Sequence, residues 1–226
     1  MSTKNTNTLY LVRHGENIAN ITKEFSYKLV DYSLTSKGIQ QAQQTAEYFK
    51  DKDIHAIYSS PLKRAAETAE IIAKELGLAV TIMEQFREVN VGTLEGRPPT
   101  QENWVLHNRI VEDWYNGRYE SAFPEGENYL MVSQRMREGL WEITHNQTGK
   151  NIIIVGHGGI FTAAVRDICH NIDTSDFTQK ENHNCSITEI VAYTSDKQIE
   201  GDLKGWALCG HLSGDAAQLI SGISQF

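Results

Sequence analysis

Two histidines in this sequence follow apolar runs and precede glycine: Arg13-His14-Gly15 after LYLV, and His157-Gly158-Gly159 after NIIIVG. A third apolar stretch leads into Ser59-Ser60-Pro61, with Arg64 four residues beyond Ser60. Two imidazoles and two guanidiniums suit one kind of ligand, a phosphoryl group. The arginine fork donates paired hydrogen bonds and is always charged, and glycine lets backbone N–H groups come close to an anion. A neutral imidazole nitrogen attacks phosphorus to give a phosphohistidine that water can cleave. His14 is the candidate nucleophile. His157 is the candidate for stabilising charge on the phosphoryl oxygens, with Arg13, Arg64 and Gly158 as phosphate ligands and Asn20 as an amide donor. A leaving alkoxide needs a proton, and Glu88 in FREV is the candidate acid, then base toward the attacking water.

Plainer roles compete for some of these residues. Glu84, Glu95 and Glu102 lie near Glu88, which could simply pair with Arg87, yet Glu88 stays the favoured acid. Asn20 could cap a turn, and Glu16 receives no role. His55, His107, His145, His170, His183 and His211 read as surface or internally satisfied residues. Trp104, Trp114 and Tyr115 have helical spacing and read as core. Arg97, Arg109 and Arg118 are candidates for a second anionic group on a ligand, or for a solvated helix face. No HExxH or carboxylate-rich spacing supports a metal site, and no cofactor is expected.

The elements that would position these groups alternate between strand and helix. Leu9–Val12 reads as a buried parallel strand. A helix is expected after Thr35 as N-cap, burying Ile39, Ala42, Ala46 and Phe49. Strand 55–58 leads to a helix with Ser60 as cap and Pro61 at its first position, so that Arg64 falls in the first turn. Leu62, Ala65, Ala69 and Ile72 form its inward stripe, and Gly77 ends it. Further strands are expected at 78–83, 151–155, 186–193 and 206–209, and helices at 100–115, 126–145 and 160–168. Residues 86–100 form a long irregular loop of the kind that carries function. The pattern predicts a single domain, a three-layer α/β/α sandwich with a mainly parallel sheet, whose ligands bind outside the carboxyl ends of the strands.

The chain has 226 residues, 40% of them hydrophobic and 22% charged, with a net charge of −8. That balance argues against nucleic acid or anionic membrane as a partner. Three cysteines without CxxC spacing read as free thiols. No signal-peptide pattern is visible, so a cytoplasmic location is expected. A small phosphorylated substrate is the expected partner, and edge strands leave room for a homodimer.

In chain order, LVRHGENIAN, DYSLTSKGIQQAQQTA, IYSSPLKRAAETAEII, REVNVGTLEG, IIIVGHGG and, more weakly, NCSITEI resemble the motifs of the histidine phosphatase superfamily, also called phosphoglycerate-mutase-like. The resemblance implies phosphorylation of His14, a phosphate pocket of Arg13, Asn20, Arg64 and His157, and Glu88 as proton donor. Cofactor-dependent mutases of that family carry a longer, basic stretch after the acid, with a nearby Tyr and a later Arg-Arg pair. VGTLEGRPPTQENW lacks both, whereas its GxxEG pattern matches the phosphatase branch. A phosphomonoester hydrolase is therefore expected, with a bisphosphoglycerate-dependent mutase and an idle phospho-ligand binding protein as alternatives.

Overall fold

The computed structural model describes residues 5–172, 177, 180–196 and 198–220. A six-stranded sheet forms from β1 (Asn5–Arg13), β2 (Ile54–Ser59), β3 (Val80–Ile82), β4 (Asn151–Gly156), β5 (Ile187–Thr194) and β6 (Ile199–Leu208), in the order β3-β2-β4-β1-β5-β6. The first four are parallel, and β5 and β6 add an antiparallel flank.

Strand side chains alternate faces with a period of two, and β1 and β4 are apolar on both. Leu9, Leu11, Ile152 and Ile154 pack on one face against α5 (Tyr129–Thr144) and α6 (Gly158–Ile168). Tyr10, Val12, Ile153 and Val155 pack on the other against α2 (Ser36–Phe49) and α3 (Lys63–Leu76). A short α1 (Ile18–Thr22) follows β1, and α4 (Gln101–Tyr115) follows the long loop, which contains 3-10 turns at Glu84–Phe86 and Gly92–Leu94. The mainly parallel sandwich expected from the alternation of elements is the fold observed. No helix among the described residues is long and apolar enough to cross a membrane.

Three local expectations are corrected. Helix α3 begins at Lys63 with Leu62 as its cap residue, rather than at Pro61 with Ser60 as cap. Its first N–H is met by Asp31 Oδ1, 2.9 Å from Lys63 N, so the Ser60 hydroxyl is left for another partner. In α2, Thr35 caps as expected, but Ile39 is 41% exposed rather than buried, while Gly38, Gln41, Ala42, Thr45, Ala46 and Phe49 face inward. The weak C-terminal strand is also longer than its apolar end suggested. It runs from Ile199 because pairing with β5 supplies hydrogen bonds that its polar residues could not signal.

Candidate active site

Register brings the site residues together. β1 pairs with β4 so that Arg13 stands opposite Gly156, and β2 pairs with β4 so that Ser59 stands opposite Val155. His14 N donates to Gly156 O at 2.9 Å and Ser60 N donates to Val155 O at 2.9 Å. His14, Ser60 and His157 therefore leave three adjacent strands at one level, and the two imidazole rings lie 5.1 Å apart.

Hydrogen bonds define what each ring offers. His14 Nδ1 lies 2.7 Å from Gly15 O, an acceptor, so the proton is on Nδ1. The opposite nitrogen, Nε2, accepts from Arg64 Nε at 3.1 Å. Burial, then the charges of Arg64 and Arg13, hold the His14 pKa well below that of a free imidazole. The ring is thus neutral, with the Nε2 lone pair toward a guanidinium. Ser60 Oγ accepts from Leu62 N at 3.3 Å and lies 2.7 Å from His157 Nε2. A hydroxyl used as acceptor there can donate to Nε2, which leaves the His157 proton on Nδ1, an atom that is buried without a partner in the structure. Burial and the Arg64 charge also keep His157 neutral.

The guanidiniums are held from behind. Arg64 donates from Nη1 to Ser26 Oγ at 2.8 Å and from Nη2 to Ser26 O at 2.9 Å, which fixes the fork while Nε stays on His14. Arg64 is buried, and desolvation pushes its pKa down to about 10. Arg13 donates to the Asn182 carbonyl, and its buried Nε has no partner in the structure. Gly158, the first residue of α6, lies against this side chain, with a notional Cβ 3.6 Å from Arg13 Nε.

Glu88 does not pair with Arg87, whose partner is Glu84 at 2.9 Å. Its Oε1 accepts from Val89 N at 2.9 Å and Ile160 N at 3.0 Å, and Oε2 accepts from Gly159 N at 3.3 Å. The carboxylate is docked on the positive N-terminal end of α6. Gly159 is needed for this approach, since a Cβ there would stand 2.9 Å from Oε1. Asn20 caps a turn and also faces the cavity. Its backbone and side chain form a reciprocal capping box with Asn17, and the residue lines the cavity above His14. The second donor to Asn20 Oδ1 is Asn184 Nδ2 at 3.0 Å, which also donates to His14 O at 3.0 Å.

Arg13, His14, Asn20, Arg64, Glu88 and Gly158 line one cavity of about 1020 Å³. His157 is buried just beneath it. Trp104, Trp114, Tyr115 and His107 also line the cavity rather than serving only as core or surface, whereas Arg97, Arg109 and Arg118 do not reach it.

Set beside known proteins, residues 9–201 match the model of the histidine phosphatase superfamily (branch 1). The chain belongs to the histidine phosphatase superfamily. A relative from Erwinia tasmaniensis, named a probable phosphoglycerate mutase GpmB, is 31% identical over 219 residues, covering 93% of this chain and 94% of that protein. Two solved structures share the superfamily's fold. Phosphoserine phosphatase from Entamoeba histolytica, in complex with 3-phosphoglyceric acid, has a TM-score of 0.72 and 25% identity, covering 92% of this chain and 100% of the other. YhfR from Bacillus stearothermophilus has a TM-score of 0.73 and 26% identity, covering 91% and 98%.

Sequence reading missed several residues that support the site of this superfamily member. Ser26 lies in a polar loop with no motif. Glu95 belongs to the GxxEG pattern, yet nothing in the pattern says that its Oε1 collects the backbone N–H groups of Tyr27, Leu29 and Val30 at 2.6, 2.8 and 3.2 Å, together with that of Lys28. Arg135 looks like an ordinary helix cation in RMRE, but it anchors the Glu88 loop. The one available signal was NCSITEI, the weakest motif, which contains Asn184.

Proposed function

We propose that this protein hydrolyses phosphate monoesters through a phosphohistidine on His14. The observation that carries the reading is the His14 ring itself, which has Nδ1–H spent on Gly15 O and Nε2 unprotonated beside Arg64 at the base of an open cavity. A phosphoryl group entering there meets Arg13 Nε, Arg64 and the Nδ1–H of His157. His14 Nε2 attacks phosphorus as the bond to the ester oxygen breaks, and Glu88 delivers a proton to that oxygen. Water then attacks the phosphohistidine, Glu88 takes its proton, and the P–N bond breaks to release phosphate. The guanidiniums and His157 stabilise charge on the equatorial oxygens in both steps.

The mutase reading has its own support in the printed name of the 31% identical relative. It needs the same phosphohistidine but returns the phosphoryl group to a second hydroxyl instead of water. Two assays on one preparation separate the readings: phosphate release from phenyl phosphate with chelator present, and interconversion of 3- and 2-phosphoglycerate with bisphosphate present. Chelator-resistant release that disappears in His14→Ala, along with acid-labile covalent phosphate, is the expected result. Interconversion that outpaces release assigns the protein to the mutases.

A further inference from the structure

The cavity extends well past the space that a phosphoryl group fills. Along α6, Gly158 stands beside the phosphate ligands and Arg166 stands eight residues later, a rise of about 12 Å. The facing wall is α4, which contributes Trp104, His107, Val111 and Tyr115.

This far end has a different chemistry from the phosphate end. Phe25, Trp104 and His107 meet ring to ring with centroids 4.6–5.5 Å apart. Burial lowers the pKa of His107, so it presents a neutral ring rather than a charge. Past them lies Arg166, its guanidinium 4.1 Å from the Tyr115 ring centroid and 5.9 Å from that of Tyr129. Among the described residues Arg166 has no carboxylate within ion-pair distance and no hydrogen-bond acceptor; Glu112 lines the same end but does not reach it. A guanidinium held over a tyrosine face is attracted to the ring without using its N–H groups, which stay available to an oxyanion.

Resting on the phosphatase reading, we propose that this end of the cavity is the leaving-group subsite, selecting phosphate monoesters of planar, ring-bearing alcohols that carry a carboxylate or similar anion at their far end. The rings lie along α4, and Arg166 takes the anion. The carboxylate of a three-carbon phosphoglycerate held at His14 would lose water to a largely aromatic wall.

Binding is tested with nonhydrolysable phosphonates, so that the subsite is read independently of turnover. Calorimetry compares benzylphosphonate, (2-naphthyl)methylphosphonate and the 6-carboxy derivative of the latter. The second ring should tighten binding several-fold through buried apolar area. The carboxylate should add about tenfold or more through a charge-assisted bond. In Arg166→Met, which keeps an apolar side chain over Tyr115, the ratio between the last two ligands should fall toward one, with a melting curve confirming the fold. A carboxylate that gives no gain in the parent protein, or a ratio unchanged in Arg166→Met, overturns the proposal. So does a higher kcat/KM for 3-phosphoglycerate hydrolysis than for 6-carboxy-2-naphthyl phosphate. If the binding increments hold but none of the esters releases phosphate, the phosphatase reading fails and the subsite stands.

Discussion

Arg135 and Glu127 form a two-point ion pair, Nε to Oε1 at 2.6 Å and Nη2 to Oε2 at 2.9 Å, and that pair holds the loop that carries Glu88. The same guanidinium donates to the main-chain carbonyls of Gln85 and Arg87 at 2.8 Å and of Glu88 at 3.0 Å. From the other side, Glu127 Oε2 accepts from Asn90 N at 2.8 Å. The loop that carries Glu88 has little regular structure of its own, and helix α5 supplies the hydrogen bonds it lacks.

Arg135→Met should therefore reduce kcat on phenyl phosphate by tenfold or more while changing KM little, because the phosphate ligands stay in place and the proton donor does not. Stability should fall by about 1–3 kcal/mol, below the figure for a fully buried pair since both side chains retain some exposure. Steady-state kinetics at low temperature, with urea titration alongside, would test this, and an unchanged kcat would refute it.

Glu95→Ala should act on KM instead. Removing the carboxylate frees the backbone N–H groups of residues 27–30, and with them Ser26, the partner of Arg64. Lys28 and Leu29 are exposed, so water can replace the lost acceptor and the stability cost should be about 1 kcal/mol. A rise in KM of about tenfold, with faster proteolysis in 26–30, is expected. Equal proteolysis of both proteins would count against this linkage.

Gly38→Ala should be severe. A Cβ on Gly38 would fall 2.1 Å from Glu16 O, and one on Gly15 would fall 2.5 Å from Gly38 O, so α2 crosses the His14 turn at backbone contact. Displacing it should cost about 1–3 kcal/mol or more and misplace His14, abolishing turnover. Gly77→Ala is the control. Its φ of +67° imposes strain, yet nothing lies within 4 Å, so destabilisation of about 1 kcal/mol with full activity is expected. Denaturant midpoints and phosphate release on both variants separate crowding from strain.

His14 and His157 should titrate below the ordinary imidazole value of about 6.5. Their pKa values are lowered in the folded protein by burial first and by the Arg64 charge second. The unfolded chain takes up protons on both rings as pH falls through about 6.5, whereas the folded protein does not, so stability is lost as pH falls below that point. Ring-proton NMR should show both histidines neutral at pH 6, with the melting temperature declining on further acidification. A ring titrating at or above 6.5 would refute the neutral-nucleophile assignment.

Much of this was legible in the sequence because it is local. Alternation of apolar strands and helices at their own periods gave the layers, and Arg13, His14, Arg64 and His157 each lie where a strand or helix ends, a place set by a few neighbouring residues. Ser60 shows where local reasoning stops. As a residue before Pro61 it resembles a helix cap, yet the His157 ring, nearly a hundred residues away, and the Asp31 carboxylate, which accepts from Lys63 N, decide otherwise. Glu95, Arg135 and Ser26 act through backbone groups of other loops, and hydrogen bonds to main chain leave no pattern in residue type. Arg166 is alike in this respect: its spacing on α6 is that of any helix cation, and only the packing of α4 across the cavity lays Tyr115 beneath it. The sequence determined which groups can do the chemistry. The tertiary structure decided what holds those groups and what faces them, because both depend on contacts between segments far apart in the chain.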